Sequence, residues 1–460
     1  MKNVIKLFAL ASIFLSSCNK NIELYPQSNI TTENFYNNAS DIQIALNGCY
    51  NALRAPLLEE WKLTELRSDN TIMGNAGSKS VPNRDLSDLD LFIPNTSHQA
   101  IYNYWIANYF NLVRLYGGVF LIHEPVGPFD AIDINRSSEA DIYKLIIADL
   151  QYAAANGSAV KYASIPVTSL GKVNSWTAKA LLAKVYLTLN RKADAATLLT
   201  DIVSNSGYGL NASYADIFAT TNEMNREILF AVRYKAGGIG QGSPFPNFFA
   251  PELSGTAVIN GDGSGFNTPT ADLFASYNAL DLRRDISIGS YGTAKMLYPK
   301  KMISPVSIKG DGESDWIVIR YADVLLMLAE AQGNTAASLA LINQTRARAG
   351  LPALTATTVT TDDIFASELA TERRLEFPFE NVRWFDMLRY KTTLPSLDPV
   401  ASMKNNFSAL FTVHYSKYPS PAPNLATIQG YVTNNKLLLP IPQREIDNNT
   451  KLVIPQNPGY

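Results

Sequence analysis

Residues 320–350 read RYADVLLMLAEAQGNTAASLALINQTRARAG. Apolar residues recur at helical spacing on either side of a short Gly333-Asn334 break, so the stretch predicts two helices, 320–332 and 335–350. Small residues let such helices approach closely, and a short turn makes them antiparallel. The same grammar occurs earlier in SWTAKALLAKVYLTLN and RKADAATLLTDIVSNSG. There Trp176, Ala180, Ala183 and Leu187 share one face, Ala195, Leu198, Leu199 and Ile202 share another, and Gly207 marks the stop.

Helical pairs of this size resemble tetratricopeptide units, although no strict 34-residue period is readable. Other helices are predicted around them. One runs from Thr32 to Arg54, with Thr31 or Thr32 as its cap and Phe35, Ile42, Leu46, Tyr50 and Leu53 at helical spacing. Another covers 100–116, AIYNYWIANYFNLVRLY, and a third covers 137–155, started by Ser137-Ser138 with Glu139 and Asp141 in its first turn. A short helix before Leu66 gives way to a polar, glycine-containing loop. Residues 236–315 are rich in Gly, Pro, Ser and Asn, yet carry Phe245, Phe248, Phe249 and Phe266. A bare linker does not carry so many aromatics, so ordered loops are expected. A second loop-rich stretch is expected at 391–435, with Tyr415, Tyr418 and Tyr431.

The amino-terminal end is separate in character. Lys2 and Lys6 precede a nine-residue apolar run, residues 7–15, followed by Ser16, Ser17 and Cys18. That is the layout of an export signal, and it is too short to span a bilayer. Leu15-Ser16-Ser17-Cys18 resembles a bacterial lipobox, in which the thiol of Cys18 is acylated and Cys18 becomes the first mature residue. The plainer reading is an ordinary signal with an incidental cysteine. The expected organisation is a lipoprotein signal over 1–17, a tether over 18–31, helical regions over 32–235 and 316–460, and the loop-rich segment 236–315 between them.

Hydrophobic residues make up 46% of the 460, and the formal net charge is −2. The length supports a sizeable core, and the charge gives no basic face for nucleic acid. Cys49, the only other cysteine, sits in a helix-like stretch and reads as a small buried apolar residue. His98, His123 and His414 are far apart in sequence, and no HExxH or paired-cysteine motif occurs, so neither metal nor cofactor is expected. Loop oxygens around Asp262 leave calcium open, without an EF-hand pattern.

Five segments together resemble the SusD/RagB family of outer-membrane lipoproteins: IRYADVLLMLAEAQ (319–332), INQTRARAGLP (342–352), ERRLEFPFENVRWFDMLRY (372–390), LLLPIP (437–442) and QNPGY (456–460). The resemblance implies a mainly α fold: a tetratricopeptide-like helix-pair scaffold carrying a loop-rich, irregular subdomain. It implies a non-enzymatic lipoprotein on the outward face of the outer membrane. Such a protein captures oligosaccharides and passes them to a SusC-like TonB-dependent transporter. One departure stands out. Family members carry two long helices between the YW and YFNLVRLYG segments, whereas here Trp105 runs almost at once into Tyr109. The first helical pair is then expected to lack a partner and expose an apolar stripe.

Sugar rings offer a C–H face for aromatic stacking and an equator of hydroxyls for polar side chains. On that basis the ligand-contacting candidates are Trp61, Asp69, Asn70, Phe248, Phe249 and Trp316, with packing on the scaffold as the alternative for each. Trp105, Trp176 and Trp384 are expected in the core. Glu372, Glu376 and Asp386 could be read as a hydrolytic carboxylate set, but the alternating signs and the Asp386–Arg389 spacing favour internal ion pairs. Two further functions stay open: a peptide-binding scaffold and a surface hydrolase.

Overall fold

The structure is a computed structural model describing residues 35–74, 84–105, 108–124, 126–127, 130–418, 423–449 and 451–460. The export signal, Cys18, the tether and the Thr31/Thr32 cap lie outside the described residues. Residues up to Leu53 form one compact unit and Arg54–Tyr460 another.

In the first unit the helix is Ala39–Ala52, capped by Asn38, whose Oδ1 accepts from the Ser40 and Asp41 N–H groups. A helix this short cannot bury its own apolar face. None of its residues is buried, and Cys49 is exposed, correcting the expectation of a core thiol.

In the second unit the scaffold is helical. Glu139–Asn156, Ser175–Thr188, Lys192–Asn205 and Tyr321–Gln332 pack side by side, and Ala336–Arg348 and Asp362–Glu376 pack on the last of these. Side-chain oxygens of Ser138, Asn174, Thr335 and Thr361 cap four of these helices. Gly207 and Gly333, at φ of 74° and 69°, take the left-handed turn that ends two of them. Alanine lets the pairs close up: Ala322, Ala329 and Ala366 are buried among Leu326, Leu339, Ile342 and Phe365. Both helix pairs anticipated from the sequence are present within a residue or two.

The predicted helix over 100–116 is two helices, Gln99–Tyr104 and Tyr109–Tyr116. The helices beside the gap expose no apolar stripe, whereas the first helix, Ala39–Ala52, leaves Ile42, Ile44 and Leu46 exposed. Ala100, Ile101 and Tyr104 are buried on the first helix, and Leu112, Val113, Leu115 and Tyr116 on the second. The physical reason is a local fold-back. Tyr116 donates its hydroxyl to the Ile101 carbonyl at 2.9 Å, and Trp105 packs edge-on against Tyr116 and Phe120, with centroids 5.0 and 5.9 Å away. Trp105 itself is half-buried, whereas Trp176 and Trp384 are buried. The stretch 391–435, read as loops, contains helices Pro399–Leu410 and Leu425–Tyr431. Asp398 and Asn424 cap them.

Among the described residues six short strands pair two by two. β1 (Thr71–Ile72) pairs with β3 (Thr268–Pro269), β2 (Ile228–Val232) with β6 (Trp316–Arg320), and β4 (Ile288–Tyr291) with β5 (Met296–Pro299), all antiparallel. The β2–β6 pair closes the base of the loop-rich segment: the chain leaves the scaffold after Val232 and returns at Trp316, its register partner. A further two-bond bridge between Ser243 and Gly312 extends that closure. Within the segment Asp311 Oδ2 accepts from the Gly237 and Gly238 N–H groups at 2.8 Å each, so the glycine cluster wraps a carboxylate.

Candidate functional site

Four of the six predicted contact residues, Trp61, Phe248, Phe249 and Trp316, come together, and all but Phe248 are inside the protein. Trp61, on helix Arg54–Leu63, packs edge-on against Phe249 and stacks on Phe266, both at 5.6 Å between centroids. Phe249 faces Trp316 at 6.5 Å, and Phe245 meets Trp316 at 4.4 Å. Phe248 touches Phe245 and Phe266. Trp61, Phe249 and Trp316 are at most 2% exposed, so these rings cannot stack on a ligand. They form the aromatic core that fastens the loop-rich segment to the scaffold. Each such ring contributes about 2–3 kcal/mol by leaving water.

Asp69 and Asn70 lie apart from that cluster and are also consumed internally. Arg383 grips the Asp69 carboxylate with Nε and Nη2, at 2.6 and 2.7 Å. Arg374 donates to the Asp69 carbonyl at 2.6 Å and to Asn70 Oδ1 at 3.0 Å. Burial alone would raise the Asp69 carboxyl, but Arg374 and Arg383 outweigh it and hold the group well below the carboxylate range. Asn70 is fully buried, and its amide donates to Glu65 Oε2 at 3.3 Å. Burial pushes the Glu65 carboxyl up to about 7, outweighing hydrogen bonds from Asn70 and Asn381 and the charge of Lys301. Both predicted polar contacts therefore brace the polypeptide.

The charged segment 372–390 is an ion-pair network. Glu376 meets Arg283 at 2.8 Å and Arg320 at 2.5 Å, and also pairs with Arg348. Glu372 pairs with Arg283 at 2.7 Å. Asp386 pairs with Arg373 at 2.7 Å and Arg389 at 2.8 Å, the spacing read from the sequence. All of these side chains are almost completely buried. Burial alone would raise the Glu376 carboxyl, but Arg348, Arg320 and Arg283 hold it far below its ordinary range. A general acid needs a carboxyl that exchanges its proton near the working pH. Glu376 is the opposite, a permanent anion locked to three guanidiniums.

The histidines are structural or on the surface. His98 contacts Asp88 and His414 contacts Asp90, at 3.1 and 2.6 Å, while His123 is exposed. Among the described residues no cluster of three His, Cys, Asp or Glu groups could hold a metal. Asp262 Oδ1 accepts from the Gly255 and Gly263 N–H groups at 3.0 and 2.8 Å, which orders its loop. Beneath Phe245 and Trp316 lies a cavity of about 40 Å³, room for a few waters and not for a sugar ring.

What remains open is the outer edge of the aromatic core. Phe248 and Phe266 are half-buried, Tyr291 at the tip of the β4–β5 hairpin is half-buried, and Leu253 is 81% exposed. Leu253 holds a left-handed backbone, φ 59°, and its carbonyl lies 3.5 Å from the Tyr291 hydroxyl. Sequence reading named Phe248 and quoted Phe266, but gave no reason to pick Leu253 or Tyr291. Their juxtaposition arises only when the hairpin folds beside the loop.

Against known proteins, residues 284–460 match the family model described as the SusD family. The chain is 26% identical over 538 aligned positions to SusD-like protein P2 of Formosa agariphila, covering the whole of both chains. Among solved structures it is similar to surface glycan-binding protein A from Bacteroides fluxus. That match has a TM-score of 0.74 at 20% identity and spans 92% of this chain and all of that one. It is also similar to surface glycan-binding protein A from Bacteroides thetaiotaomicron in complex with laminarihexaose. There the TM-score is 0.68 at 17% identity, over 91% and 99% of the two chains. The scaffold of helix pairs bearing an irregular loop segment is thus a SusD-like fold. The carboxy-terminal part of the chain matches the SusD family model, and its whole length is similar to SusD-like proteins.

Proposed function

We propose that this protein is a non-catalytic, cell-surface glycan-binding lipoprotein. In this reading Cys18 carries the acyl chains, the chain sits on the outward face of the outer membrane, and captured oligosaccharide passes to a SusC-like TonB-dependent transporter. Acyl chains contribute about 0.8 kcal/mol per buried methylene, enough for two or three to retain a soluble domain. Among the described residues no helix is long and apolar enough to cross a membrane.

The observation that carries the reading is the full-length likeness to SusD-like proteins, two of whose structural neighbours are named for glycan binding. The site we assign is the rim formed by Phe248, Leu253, Phe266 and Tyr291. It pairs half-exposed rings with a rigid aromatic base, and loops held on a rigid scaffold are where ligand contacts concentrate. Glu376 and Asp386, both held below the ordinary carboxylate range by buried arginines, suit a structural role better than a general acid's, in keeping with binding without hydrolysis.

Affinity electrophoresis against a polysaccharide panel, laminarin included, tests this. Retardation by at least one glycan is expected, and Phe266→Ala is expected to abolish it. Release of reducing sugar by the purified protein, or indifference to every glycan together with binding of peptides, overturns the reading. For anchoring, Cys18→Ala is expected to shift the protein from the membrane pellet to the soluble fraction.

A further inference from the structure

A second opening lies on the scaffold, where helices Asp362–Glu376, Arg383–Thr393 and Pro399–Leu410 meet. Its volume is about 150 Å³. That equals about five waters, well below the several hundred Å³ of sites that enclose larger ligands. The opening is therefore on the scale of one small ring.

Its walls are chemically sorted. Thr371, on one helix, and Ser402, on another, present hydroxyls that are at least partly exposed. Met387 and Pro399 supply an apolar floor. Arg374 and Arg383 supply the cationic wall, and no carboxylate lines the cleft. The two arginines differ in what they have left to give. Arg374 spends its donors on Asp69, Asn70, Asp272 and Ser276. Arg383 spends Nε and Nη2 on Asp69, but its Nη1 is buried with no hydrogen-bond partner among the described residues. An unmet donor on a cation is costly, about 1–3 kcal/mol or more, until an acceptor arrives. A carboxylate is the acceptor that gains most, because both partners are then charged.

We propose that this cleft binds a single hexuronate ring. The ring carboxylate seats against the Arg383 guanidinium, its hydroxyls exchange hydrogen bonds with Thr371 and Ser402, and its C–H face lies on Met387 and Pro399. Asp69 plays a positioning role: its two-point grip fixes the plane of the Arg383 guanidinium. The cleft is built from different helices than the aromatic rim, so this proposal stands or falls separately from capture of a neutral glycan.

Ligand-observed NMR and calorimetry on the full chain, with sodium glucuronate, glucose and sodium sulfate as probes, test it. Glucuronate is expected to bind at least tenfold more tightly than glucose. Ser402→Asp, which places a carboxylate at the mouth, is expected to weaken glucuronate at least tenfold while retardation on neutral polysaccharide stays as in the parent. Thr371→Glu, on the opposite wall and exposed, is expected to do the same and serves if Ser402→Asp fails to fold. Equal affinity for glucose and glucuronate overturns the proposal, as does glucuronate binding that survives either folded variant. Sulfate binding as tightly as glucuronate also overturns it, since the ring would then contribute nothing.

Discussion

Two parts of this molecule are held together by opposite chemistry. The carboxy-terminal scaffold is locked by buried charge: Glu376 among three arginines, and Asp386 between Arg373 and Arg389. The loop-rich segment adds rings, with Trp61, Phe249, Phe266 and Trp316 in contact, and shares in the charge network through Arg283 and Lys301. Charge networks fix geometry because every partner has a required position, and a missing partner leaves an uncompensated ion. Aromatic packing tolerates adjustment and leaves an apolar edge at the surface.

The comparison can be broken most severely at Glu376. Glu376→Ala strands three buried guanidiniums and is expected to cost about 4–5 kcal/mol, read as a fall in the denaturation midpoint. A loss under 1 kcal/mol would show that the network contributes little. The same carboxyl, with Asp69, also sets acid behaviour. Both are held below their unfolded values, so their stabilisation is complete above about pH 5 and is lost progressively as pH falls towards the lower folded values.

Trp61→Ala attacks the aromatic side and is expected to cost about 3–4 kcal/mol through the cavity it leaves. Hydrogen exchange should quicken over 245–268 more than over 175–205. Uniform quickening would mean that the rings do not specifically hold the loops.

Glu65 gives a smaller effect of opposite sign. It ionises near 4.5 when exposed and near 7 when folded. Its contribution is therefore fully present below about pH 4.5 and is lost as pH rises through 7, where the fold must bury a charge. Glu65→Gln removes that burden, and a gain on the order of 2 kcal/mol is expected at pH 8, vanishing by pH 4. A gain independent of pH would point to packing instead. The gentlest probe is Phe266→Ala: about 1 kcal/mol of stability for a half-buried ring, but loss of glycan retardation. If retardation persists, the rim is not the contact surface.

The scaffold was far more legible in the sequence than the site. Helix pairs announce themselves through local spacing, and RYADVLLMLAEAQ carries its own apolar face with the Gly333 stop directly after it. The ion pairs around ERRLEF were readable because Asp386 and Arg389 lie three residues apart on one helix. Arg283 and Arg320, the partners of Glu376, sit in unremarkable local contexts and were not foreseen. The same distance problem misdirected the choice of contact residues. Trp61 beside a polar loop reads like a stacking platform, yet its partners are Phe249 and Phe266, almost two hundred positions away. A ring in a glycine-rich stretch has the same local signature whether it faces ligand or scaffold. The β2–β6 pair escaped notice for a different reason. All five residues of Ile228–Val232 are buried, so the alternation that marks a half-exposed strand is absent.

That pair has a consequence for how such proteins diversify. By stitching Val232 to Trp316, it makes the 236–315 excursion a cassette with both ends anchored in one place. Doubling a flexible loop adds only about 0.6 kcal/mol of closure entropy. The cassette can therefore change in length or sequence while the helical chassis that holds its two ends stays as it is.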